Sequence, residues 1–122
     1  MKYLGLIWAG VNVENLAVSV AFYQSTLGLR LLGQGPDWAH FDAGAGTLLE
    51  LFTGGTASSA PKRPDQQSIV LGLRVDDLDG AVAELKAKGV HFKPEESGEF
   101  EGTRWAHFTD PEGNRLEVKE IA

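Results

Sequence analysis

The clearest pattern in the chain is an every-other-residue alternation that occurs twice. Over residues 105–118 the run Trp105-Ala106-His107-Phe108 leads into Asp110-Pro111 and Gly113-Asn114, and Leu116-Glu117-Val118 follows. Successive side chains of a strand point to opposite faces, so Trp105 and His107 share one face while Ala106 and Phe108 share the other. Asp-Pro sets the first dihedral of a turn and Gly-Asn tolerates the positive φ that closes it, which predicts a hairpin. The same arrangement stands earlier, as Trp38-Ala39-His40-Phe41 and Leu49-Glu50-Leu51, at a constant offset of 67 (38 to 105, 40 to 107, 50 to 117). An in-register repeat of tryptophan, histidine and glutamate predicts an internally duplicated unit. A turn centred near Gly44 would set Trp38 opposite Glu50 in the first copy, with His40 one inward step nearer the turn.

The segments around the hairpins repeat as well. Residues 4–12 read as a strand, Asn15 as an N-cap, and Leu16, Val20, Tyr23 and Leu27 as the apolar stripe of a helix over 16–27 that Gly28 ends. Residues 29–32 make a second strand before the hairpin. Residues 53–67 hold no apolar side chain larger than alanine or proline and have the composition of a flexible connector. The order then restarts: a strand over 68–75, Asp77 as N-cap, a helix with Leu78, Ala81, Val82 and Leu85 on one face, Gly89 as its stop, and a short strand over 90–93 ended by Pro94. Glu84 and Lys88 are spaced for an i,i+4 pair. Each half therefore reads βαβββ, an α+β fold in one domain over 1–122, with a first module over about 1–53, a connector over 54–67 and a second module over about 68–122.

Composition narrows the function classes. The chain has 122 residues, enough for one working core, and no cysteine, which removes disulfides and thiolate metal sites. A formal net charge of −6 opposes phosphate backbones and anionic membrane surfaces, so neither nucleic acid nor membrane is an expected partner. The apolar stretch 4–11 is shorter than a membrane span. A cytoplasmic location fits these properties. No nucleophile elbow or phosphate-loop spacing is present.

The motifs Ala21-Phe22-Tyr23 with Leu27-Gly28-Leu29, Val75-Asp76-Asp77-Leu78, Phe108-Thr109-Asp110-Pro111-Glu112-Gly113-Asn114 and Leu116-Glu117-Val118 stand in one order on a duplicated frame. In this the chain resembles the glyoxalase, bleomycin-resistance and extradiol-dioxygenase superfamily, the vicinal oxygen chelate proteins, over nearly its whole length. The resemblance implies two βαβββ modules forming a cup-shaped, partly closed mixed sheet, with ligand or metal held inside the cup, and a homodimer. It also implies a metal set of His or Gln, Glu, His and Glu from the first and fourth strands of each module. Those positions are Trp8, Glu50, Val70 and Glu117 in this chain, and only the glutamates have donor atoms for a cation.

Glu50 and Glu117 alternate with leucine or valine and so point to the face away from the helices, where a carboxylate acts as general base, binds a cationic group, or is held by ordinary hydrogen bonds. Trp38 and His40 share that face in one copy, Trp105 and His107 in the other. The two histidines either complete a rearranged divalent-metal set with Glu50 and Glu117 or hydrogen-bond the glutamates and the ligand. Trp8, Trp38 and Trp105 are all the tryptophans of the chain and suit stacking on a flat or positively charged molecule, unless they merely fill space. His91 and Arg104 read as surface residues, the latter in an ion pair. The expectation is a small-molecule-binding protein without cofactor, its ligand flat and aromatic or cationic, contacted by Trp8, Trp38, His40, Trp105 and His107. The alternative is a lyase, isomerase or dioxygenase working through a rearranged metal or through Glu50 and Glu117 as an acid–base pair.

Overall fold

The computed structural model describes residues 1–121; Ala122, the expected last residue of the second module, lies outside the described residues. Two compact units follow one another along the chain, Met1–Ala57 and a second from Ser58 onward. The first holds β1 (Trp8–Val13), α1 (Leu16–Ala21), a π-helical stretch (Phe22–Thr26), β2 (Arg30–Gln34), β3 (Trp38–Asp42) and β4 (Leu48–Thr53). The second holds β5 (Leu71–Arg74), α2 (Leu78–Ala87), β6 (Phe92–Phe100), β7 (Thr103–Thr109) and β8 (Arg115–Ile121). The sheet orders are β1-β4-β3-β2 and β5-β8-β7-β6, with β1 parallel to β4, β5 parallel to β8, and all other pairs antiparallel. Each unit is thus βαβββ, and the fold is α+β.

Local chemistry explains the helices. The Asn15 side chain accepts from the Val18 N–H at 3.2 Å and the Asp77 side chain from the Gly80 N–H at 3.0 Å, each satisfying a donor that the first helical turn leaves open. Glu84 and Lys88 pair at 3.4 Å. The first helix does not run regularly over 16–27, because its final turn widens and the Leu27 N–H reaches the Phe22 carbonyl at 2.9 Å. That widening buries Tyr23 against Phe41, with ring centroids 6.2 Å apart.

Strand boundaries follow the partner strand rather than local composition. The first strand begins at Trp8, not at residue 4, because its parallel neighbour β4 begins at Leu48, the residue in register with Trp8. The strand expected over 68–75 is limited to Leu71–Arg74, and the one expected over 29–32 lies at Arg30–Gln34. The strand expected to end at Pro94 runs on to Phe100, because β6 is a sheet edge: its pairing jumps from Lys93↔His107 to Gly98↔Trp105, and the intervening residues bulge out. A proline without an N–H is tolerated there.

The first hairpin turns around Ala45 rather than Gly44. Gly44, Ala45 and Gly46 all take positive φ (87°, 50° and 78°), and Asp42 accepts from the Gly44 N–H at 2.8 Å. Shifting the turn centre by one residue places His40, not Trp38, directly opposite Glu50, and Trp38 opposite Phe52. The residues expected as a flexible connector divide between the units. Gly55 and Ala57 donate to the Val13 carbonyl and the Glu14 carboxylate, whereas Ser58 and Lys62 donate to the carbonyls of Glu112 and Gly113.

Ala39, Phe41, Leu49 and Leu51 are buried beneath α1, and Ala106, Phe108, Leu116 and Val118 beneath α2. Their strand neighbours must then point to the other face. Leu49→Ala or Leu116→Ala is expected to destabilise the protein by about 2–5 kcal/mol, and Glu117→Gln by far less. Urea unfolding midpoints measure both, and the reverse ranking would invert the face assignment.

Candidate functional site

The sheet face turned away from its helix carries a related set of side chains in each unit. In the first, His40 and Glu50 are register partners on β3 and β4, with Nε2 and Oε2 3.5 Å apart. The Trp8 indole N–H donates to the other Glu50 oxygen at 3.1 Å. Trp38 lies against His40 with ring centroids 4.5 Å apart, and Trp8 against Phe52 at 6.4 Å. Gly10 stands under the Trp8 ring, where a Cβ would come within 2.3 Å of it, so the indole lies down on the strand. Trp8 and Trp38 remain 50% and 37% exposed.

The second unit has the same register pair with more around it. His107 Nε2 is 2.7 Å from Glu117 Oε2, and its Nδ1 is 3.1 Å from Glu96 Oε2. Carboxylates only accept, so both contacts are hydrogen bonds together only when the ring carries two N–H groups. Glu96 also takes Lys93 at 3.2 Å, and Glu117 takes Lys119 at 3.3 Å. The Trp105 N–H donates to the Glu96 carbonyl at 3.1 Å, and the Lys119 ammonium stands 5.5 Å from the Trp105 ring centroid. The side chains of His107 and Glu117 are each 17% exposed, against 34% and 25% for His40 and Glu50. One face is open and the other is closed by its own charges.

Glu96 is the site residue that sequence pattern did not single out. It reaches His107 because the β6 bulge lifts residues 94–97 out of the ladder. Partial burial works against its charge, but hydrogen bonds from His107 and Lys93 and the charges behind them outweigh that and hold its pKa below the usual glutamate value. Lys93-Pro94-Glu95-Glu96, a proline amid charges on an edge strand, was the available signal.

The model of the Glyoxalase/Bleomycin resistance protein/Dioxygenase superfamily matches residues 5–118. The chain belongs to that superfamily. The uncharacterized protein YraH of Bacillus subtilis (strain 168) is 32% identical over 120 residues, covering 89% of this chain and 92% of its own. YaeR of Escherichia coli (strain K12), also uncharacterized, is 33% identical over 118 residues, covering 90% and 91%. Among solved structures, TnmS3, an antibiotic binding protein from Streptomyces sp. CB03234, superposes with a TM-score of 0.76 at 27% identity, covering 100% of this chain and 99% of its own. A lactoylglutathione lyase from Agrobacterium tumefaciens shares the fold, with a TM-score of 0.75 at 21% identity, covering 98% and 96%.

The metal set implied by this superfamily does not fit the residues present. At the first-strand position, Trp8 offers no lone pair to a metal and instead donates its indole N–H to Glu50. Val70 has no donor atom, and the position in register with Glu117 is Gly72. Both nitrogens of His107 already face carboxylates. Among the described residues, no group of three or more His, Asp or Glu is arranged to hold an ion. His91 is exposed, and Arg104 bridges Asp79 at 3.1 Å and Glu120 at 3.4 Å.

The lowered pKa of Glu96 sets an acid limit. Its folded value lies below its unfolded one, so the stability it contributes is full above the unfolded value and is lost as pH falls through the folded value. Glu96→Gln is expected to lower the urea midpoint at neutral pH, with the deficit shrinking as pH falls through that window. A deficit independent of pH would mean that the charge of Glu96 contributes nothing.

Proposed function

We propose that this protein binds a flat aromatic or cationic small molecule and does so without the superfamily's metal. One observation carries the reading: on the first unit's sheet face, the two indoles of Trp8 and Trp38 stay half-exposed around the carboxylate of Glu50. Large apolar rings left in water beside a partly buried charge are a poor arrangement for stability alone and a good one for stacking on a ligand. Gly10, and Gly35, where a Cβ would come within 2.4 Å of the Trp38 ring, keep both indoles flat against the strands. Likeness to TnmS3, which binds an antibiotic, supports small-molecule binding as the shared theme. In the second unit Trp105, His107 and Glu117 are engaged by Glu96 and Lys119, which supports a structural role for that set. The reading also includes a homodimer, supported by two four-stranded sheets whose outer strands β1, β2, β5 and β6 each have a strand partner on one side only.

N-methylacridinium, a flat cationic probe, is expected to quench the indole emission saturably, and Trp38→Ala to weaken that binding by about tenfold, equivalent to about 1.4 kcal/mol. Zn, Ni, Mn or Fe(II) should leave the melting temperature unchanged, since occupancy at 100 times a dissociation constant would add about 2.7 kcal/mol. An absence of saturable quenching, or one metal per chain lost with Glu50→Ala, would overturn the reading. Sedimentation at micromolar concentration is expected to give twice the 13.2 kDa chain mass; a monomer would remove the dimer.

A further inference from the structure

The two units differ at one position in a way that identifies what the open face lacks. At the offset of 67, Trp38, His40 and Glu50 correspond to Trp105, His107 and Glu117, and Phe52 corresponds to Lys119. The register agrees, since Trp38 faces Phe52 across β3 and β4 as Trp105 faces Lys119 across β7 and β8. In the second unit the ammonium of Lys119 stands over the Trp105 ring at 5.5 Å and 3.3 Å from Glu117. That pairing of a cation with an indole and a carboxylate is built into the fold. In the first unit the same indole and carboxylate are present, but Phe52 supplies only a third aromatic wall. Glu50 is held by the Trp8 N–H and by His40, and among the described residues no lysine or arginine pairs with it.

We propose that the first unit takes its cation from the ligand: a planar organic cation whose charge sits between Trp38 and Glu50, where the second unit keeps its own ammonium. This inference rests on the small-molecule reading above and names the class of ligand and the residues that choose it. Trp38, Phe52 and Trp8 contribute ring surface and the attraction of π faces for positive charge, and Glu50 contributes the counter-charge. A net charge of −6 raises the local concentration of cations around the protein. The inner position of Glu50, partly shielded from water, makes its charge count for more than that of a surface carboxylate.

A matched pair of probes tests the inference on the whole 122-residue chain. N-methylacridinium and acridine, the latter neutral in mildly alkaline buffer, have nearly the same ring surface and differ in charge. The cation is expected to bind at least about tenfold tighter than acridine by quenching of indole emission. Phe52→Lys, which copies the second unit, is expected to abolish that preference, and Glu50→Gln to do the same while leaving acridine binding in place. Lys119→Met should leave both affinities unchanged. If Phe52→Lys fails to fold by circular dichroism, Glu50→Gln decides alone. Equal binding of the two probes, or a preference that survives these substitutions, would overturn the inference while leaving the small-molecule reading standing. Failure of both probes to bind would overturn the two together.

Discussion

Burial of Phe41, Leu49 and Leu51 on one sheet and of Phe108, Leu116 and Val118 on the other decides which way every other strand residue faces. The side-chain period of a strand is two, so no slip of one residue is permitted without turning these rings and branched chains to water. The carboxylates of Glu50 and Glu117 occupy the opposite face as a consequence of this packing rather than through any attraction of their own. The hairpin turns then finish the placement. They put each histidine directly across from its glutamate, where Cβ atoms of a strand pair come within about 4.5–5.5 Å.

On that shared frame the two units differ through small means. In the second, a bulge on an edge strand delivers Glu96, and Lys119 covers Trp105, so that histidine, glutamates and lysines satisfy one another. Partly shielded charges are tolerable when paired in this way, and costly otherwise. In the first, the bulge of β2 involves only the step between Leu31 and Gly33 and brings no acid, while Phe52 brings no base. The first set therefore keeps exposed aromatic surface and an acid held by an indole N–H and a histidine.

Much of this was legible in the sequence, for identifiable reasons. The repeat of Trp-Ala-His-Phe fixed the hairpins and their faces, because alternation is a direct consequence of strand geometry. Asn15 and Asp77 announced the helix starts because a side-chain oxygen at that position has one task. Glu96 was hidden because its role depends on how far the β6 bulge extends, and that is set by what it can bond to across the sheet. The opposition of His40 and Glu50 was missed by one pair because Ala45, a residue with a Cβ, takes positive φ at the centre of the turn. The donation from Trp8 to Glu50 was invisible to a reading that sought lone pairs for a metal, since an indole supplies a proton instead.

The hydrogen bonding of residues 53–67 has a practical meaning for anyone dividing the molecule. Gly55 and Ala57 are tied to Val13 and Glu14, and from the next residue onward Ser58, Lys62 and Gln67 are tied to Glu112, Gly113, Asn114 and Arg115. The bonding partners change from one unit to the other between Ala57 and Ser58. A fragment of the second half begun at residue 68, where its first strand was expected, would leave the backbone of Arg115 and the side chain of Asn114 stripped of those partners. A fragment begun at Ser58 would carry them along. What composition presents as a tether is, in bonding, part of each unit's own surface.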